Sequence, residues 1–145
     1  MKYLLAATLV TAFAQGAAPK ADLPAPVQAG LDALEEGRCD AAFVHWSRPA
    51  TTSGMGTGAV QRLTDCATLK RLGALHGHEV LRVVSVGERI RRVYVILRYQ
   101  AQPAYLLLVA YRPDDDWYVI KTNWSISADR VLPPDMVPRE QAARP

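Results

Sequence analysis

Few residues in this chain carry reactive groups, and they are scattered. His76-Gly77-His78 sets two imidazoles at i and i+2, which on a regular strand point to one side, as a pair of metal ligands would. No third histidine or well-placed carboxylate completes a site, so no metal is expected. Asp114-Asp115-Asp116 reads as a solvated hairpin tip, because three adjacent residues cannot aim enough oxygens at one calcium ion. Glu35-Glu36 reads as the charged end of an exposed helix. Asn123-Trp124-Ser125 matches a glycosylation sequon but lies inside a strand pattern. His45 adjoins Trp46 and follows Asp40 by five positions, and Tyr99 closes a later strand pattern. No phosphate loop, nucleophile elbow or paired-carboxylate motif occurs, and no cofactor is expected.

The compartment gives the two cysteines their meaning. Met1-Lys2 is a short positive start, Tyr3 to Ala14 carries no charge, and Ala12-Phe13-Ala14 has the small-x-small pattern of a signal-peptidase site. Residues 1–14 are therefore expected to be a signal peptide. The run is shorter than the ~20 residues that span a bilayer as a helix, and Gln15 rather than a cysteine follows the cut, so no lipid anchor and no transmembrane segment is expected after processing. In such a periplasmic or secreted protein, Cys39 and Cys66, the only cysteines, are expected to form a structural disulfide in preference to two buried free thiols, contributing about 3 to 4 kcal/mol on the chain-entropy model.

A chain of 145 residues, half of them apolar, is long enough for one domain with a core. The formal charge of +3 falls to +2 once Lys2 leaves with the leader, too little for a dedicated nucleic-acid binder. Residues 15–21 read as a flexible arm, 22–130 as the domain and 131–145 as a disordered tail rich in proline. Asp22 can cap a first helix on whose face Val27, Leu31 and Leu34 recur, and Gly37 stops it. Asp40 can cap a second helix, 41–47, ending before Arg48-Pro49. The glycine-rich stretch 50–58 reads as a surface loop. A third helix over 59–72 puts Val60, Leu63 and Ala67 on one face beside Cys66.

From His78 to Ile126, four apolar segments alternate with turn-forming breaks at 87–89, 100–103 and 113–116. The breaks are too short for the helix of a parallel crossover, so the segments form an antiparallel meander. The fold class is α+β, with three N-terminal helices packed on a curved four-stranded sheet. Val93, Val95, Leu97 and Tyr99 share the inward face of one strand. The next two strands are apolar on both faces: Tyr105, Leu107, Val109 and Tyr111 oppose Leu106, Leu108 and Ala110, then Trp117 and Val119 oppose Tyr118, Ile120, Trp124 and Ile126. Three helices cover one side only, which predicts a homodimer through the outer sheet face. Arg82, Arg89, Arg91, Arg92 and Arg98 are expected as a basic stripe on that face.

The order helix, short helix, loop, helix, meander, with Leu72-Gly73, Val93 to Tyr99, Tyr105 to Tyr111 and Asp116-Trp117-Tyr118-Val119-Ile120, resembles the nuclear transport factor 2-like superfamily of cone-shaped α+β domains over roughly residues 22 to 127. The resemblance implies a cone that binds a small apolar or amphipathic ligand, or an envelope protein across the sheet, with His45, Trp46, Tyr99 and Trp117 as its ligand-binding residues. It also allows a lyase or isomerase in which His45, Asp40 and Tyr99 transfer protons. An enzyme requires polar groups converging in an open cavity, whereas a non-catalytic module can have its cone filled by Trp46, Tyr99 and Trp117.

Overall fold

The computed structural model describes residues 22–47 and 57–137; the expected signal peptide, the arm 15–21, most of the glycine-rich loop and residues 138–145 lie outside them. The chain folds as α+β, in the order α1 (Ala25–Glu35), α2 (Cys39–His45), α3 (Thr57–Lys70), β1 (Leu75–Val86), β2 (Ile90–Tyr99), β3 (Pro103–Tyr111) and β4 (Tyr118–Ser125). Two short 3-10 turns follow, Ala128–Arg130 and Pro134–Met136. Among the described residues, no helix is long and apolar enough to cross a membrane.

The spacing of Val27, Leu31 and Leu34 does what its period dictates, since all three are buried on one side of α1. Gly37 ends that helix at φ 77°, where Gly37 N–H donates to Leu34 O and Arg38 N–H to Ala33 O, satisfying two orphan carbonyls. The expected caps are not made. Pro24 begins α1, and the Asp22 carboxylate lies 3.7 Å from Arg91 instead. Arg38 precedes α2, leaving Asp40 inside its first turn, where a carboxylate still favours the helix dipole. Among the described side chains of α3, Cys66 and Leu69 are buried, followed by Leu72 just past the helix, whereas Ala67 is exposed; the side chains of Val60 and Leu63 lie outside the described residues. Cys39 and Cys66 form a disulfide with a Cα–Cα distance of 5.8 Å, tying α2 to α3.

The four strands pair antiparallel in the order β1-β2-β3-β4. Val93, Val95 and Leu97 on β2, with Ala104, Leu106, Leu108 and Ala110 on β3, join the buried residues of all three helices in one core. The face assignment of β4 needs correction. Val119 pairs with Ala110 but Lys121 pairs with Val109, so Ile120 is an extra residue. Such a bulge shifts the side-chain alternation by one, carrying Thr122 and Trp124 to the helix side opposite Leu108 and Leu106. Trp124 therefore packs in the same core as Val119 and Trp117, while Ile120 is 48% exposed.

The outer face carries a second apolar cluster, and the chain covers it with its own C-terminal segment. Ala128, Val131 and Leu132 are buried against Tyr94 and Tyr105, with Leu81, Ile96, Leu107, Met136 and Val137 packed around them. Over 131–137 the expected disordered tail is thus replaced by an ordered strap, on which Asp135 makes a 2.8 Å ion pair with Arg82. The prolines forbid regular helix or strand there, but they do not forbid burial of the residues between them. The premise of the homodimer, an outer face with nothing on it, does not hold for the part of the sheet around Tyr94 and Tyr105 that this strap covers.

Candidate functional site

The four residues expected to bind a ligand occupy different places. His45 is the exposed last residue of α2, and Asp40 is exposed in its first turn. Trp46, just after that helix, is only 4% exposed; its Nε1–H points at Val27 O at 3.4 Å, and its indole covers Gly30. Tyr99, at the end of β2, borders a hollow of about 210 Å³ with Leu34, Leu69 and the two cysteines, and partial burial pushes its hydroxyl up to about 12. Trp117 precedes β4, with the guanidinium groups of Arg91 and Arg112 each 5.0 Å from its ring. Arg91 and Tyr99 sit at opposite ends of β2, roughly 25 Å apart at ~3.3 Å per residue. Tyr99 and Trp117 therefore do not meet, and Trp46 and Tyr99 border separate hollows.

The interior between helices and sheet is filled. Val27, Leu31, Val93, Val95, Leu97, Leu106 and Leu108 are at most 1% exposed, and among the described residues no polar or charged residue is buried. Besides the hollow beside Tyr99, a larger one of about 330 Å³ lies at the edge of this core, between the end of α2, α3 and β4. Phe43, Trp46, Val119 and Trp124 supply its apolar lining. Ser47, Arg62, Asp65, Lys121 and Thr122 supply its polar groups, with Arg62 Nη1 donating to Ser47 Oγ at 3.4 Å. Thr122 Oγ1 is buried and, among the described residues, without a hydrogen-bond partner. This hollow was not visible in the sequence as a site, because the bulge at Ile120 decides that Thr122 and Trp124 face it.

The structure also makes one pairing that spacing alone could not reveal. His78 Nδ1 lies 2.6 Å from Glu35 Oε1, joining α1 to β1 across 43 positions. It forms where Gly77, at φ 123°, interrupts the register between Leu75 and His78. His76 and His78 are therefore not two equivalent positions of a regular strand, and Glu35 is more than a solvated helix end. Among the described residues, no group of three metal-ligating side chains occurs. The expected basic stripe is dispersed. Arg82 pairs with Asp135, Arg91 with Asp22 and Trp117, Arg89 donates to the carbonyls of Arg112 and Pro113, and Arg98 to that of His76.

Comparison with known proteins adds no neighbour: no protein-family model, curated protein or solved structure matches the chain. The function must be argued from its own residues.

Proposed function

We propose that this protein is an exported, non-catalytic binding domain of the cell envelope, periplasmic or secreted, with a nuclear transport factor 2-like arrangement of helices over a meander. The observation that carries the binding reading is the apolar hollow bordered by Trp46 and Trp124, beside a core otherwise filled with side chains. A small-molecule site is concave, largely apolar and served by a few polar groups, with volumes of about 300–1,000 Å³, and this hollow has those attributes at the lower end of the range. The disulfide between Cys39 and Cys66 supports export, since such bonds persist in oxidising compartments. The lyase or isomerase alternative needs His45, Asp40 and Tyr99 around one cavity; His45 and Asp40 are exposed on α2, and Tyr99 borders a different hollow from Trp46.

Titration of the purified protein with the neutral apolar dye Nile red tests the reading. Saturable binding at one site, with quenching of tryptophan emission because two of the three tryptophans line the hollow, is the expected result. Emission that never changes, or uptake that never saturates, sinks it.

A further inference from the structure

We propose that the hollow between α2, α3 and β4 is a site for a small amphipathic carboxylate, a molecule with a short hydrocarbon body and one anionic end. The proposal rests on the binding reading above and adds the chemistry of the ligand.

Three observations converge on that class. The walls built by Phe43, Trp46, Val119 and Trp124 offer apolar surface, and the residues lining the hollow include one carboxylate, Asp65, and no side-chain amide, a poor set with which to read a sugar or a peptide backbone. The buried Thr122 hydroxyl has no partner among the described residues, and a native structure seldom leaves such a group unsatisfied. Thr122 lines the hollow, and a ligand oxygen that enters beside it would give the hydroxyl an acceptor. The charges at the hollow are Arg62 and Lys121 against Asp65, an excess of one positive charge, and Asp65 already makes an interaction within the protein. A guanidinium offers five donors in a planar fork that matches a carboxylate, and the 3.4 Å bond from Arg62 Nη1 to Ser47 is long enough to yield to a charged acceptor. The ligand thus lies with its chain between the two indoles and its carboxylate toward Arg62 and Thr122.

The experiment compares octanoate, octanol and octylammonium, which share a chain and differ in the charge of the head group, by quenching of tryptophan emission. Octanoate is expected to bind about tenfold more tightly than octanol, the difference of one charge-assisted hydrogen bond, and octylammonium more weakly than either. Arg62→Gln should remove most of the preference for octanoate over octanol. Thr122→Val should weaken octanoate about fivefold without lowering the melting temperature of the unliganded protein, because among the described residues the hydroxyl it removes has no partner. A purely structural threonine would show the reverse. Equal binding of the three compounds, or octanoate affinity unmoved by both substitutions, overturns the carboxylate assignment while the Nile red result still upholds a binding domain. Absence of binding by Nile red and by all three removes both.

Discussion

Gly30 and Trp46 are matched to one another: a Cβ built on Gly30 would lie 2.0 Å from the indole nitrogen of Trp46. The glycine lets the indole lie directly on the backbone of α1, which is how a seven-residue α2 is anchored against an eleven-residue α1. Two effects oppose one another in Gly30→Ala. Helix propensity favours alanine by about 1 kcal/mol, whereas overpacking a rigid ring in a filled core costs about 1–3 kcal/mol or more. At 2.0 Å the ring has to move as a body, so the steric cost wins. Gly30→Ala should destabilise the protein by roughly 1–2 kcal/mol in chemical denaturation. In a double-mutant cycle with Trp46→Leu, the two losses should be far from additive. A more stable Gly30→Ala protein contradicts the packing described.

The disulfide is expected to matter most for α3. That helix has α2 as its main helical neighbour and enters the core through Cys66, Leu69 and Leu72. Cys39 and Cys66 are 27 positions apart, which on the chain-entropy model corresponds to about 3.5 kcal/mol. Replacing both with alanine should cost about 2–4 kcal/mol. Hydrogen exchange should show the amides of 57–70 losing protection before those of the sheet. Uniform loss of protection across sheet and helices would show that α3 is held by packing alone.

The legible part of the fold was the part governed by period. Val27, Leu31 and Leu34 announce the inner face of α1, and the alternation from Val93 to Leu97 announces that of β2. Spacing fails where one residue is inserted into a pattern. Ile120 looks like an ordinary member of β4, yet as a bulge it moves Trp124 to the other side of the sheet. It fails again at Leu132-Pro133-Pro134, where prolines argue against an α-helix or strand and so suggest disorder, while Val131 and Leu132 are buried. The disulfide was readable because only two cysteines exist and the leader pattern implied an oxidising space. The contact between His78 and Glu35 depends on how α1 crosses β1, a tertiary fact with no local signature. The orphaned Thr122 hydroxyl is equally invisible, since it follows from the bulge two residues earlier.

Tyr99 sets an alkaline limit on stability. Burial disfavours its phenolate, raising its folded pKa from the ordinary 10.0 to about 12. Between these values the unfolded chain gives up a proton that the folded chain keeps, so the folded state binds more protons and stability falls as pH rises. The contribution is intact below pH 10 and is lost progressively as pH approaches 12. Tyr99→Phe should reduce the slope of stability against pH in that window and leave neutral-pH stability nearly unchanged. In a spectrophotometric titration of the folded protein, the same substitution should remove a phenol that titrates above the ordinary 10.0. An unchanged alkaline slope would mean that Tyr99 is solvated.

The C-terminal strap should act as a cover more than as a part of the core. Val131 and Leu132 are 7% and 6% exposed, and they bury the outer-face residues Tyr94 and Tyr105, whereas the helices and the inner sheet face form a separate cluster. Leu132→Asp places a charge where a leucine was buried, and full burial of one leucine is worth about 1.5–3 kcal/mol, enough to release a segment held by so few side chains. The sheet and helices should stay folded by circular dichroism, while the uncovered outer face binds an apolar dye and drives self-association in sedimentation at micromolar concentration. Arg82→Gln is the control. It breaks the pair with Asp135, but both side chains are more than one-third exposed, and such a pair contributes about 0–1 kcal/mol. The strap should therefore stay in place without it. Release by Arg82→Gln, or a Leu132→Asp protein that neither binds dye nor associates, would show that apolar burial is not what holds the strap down.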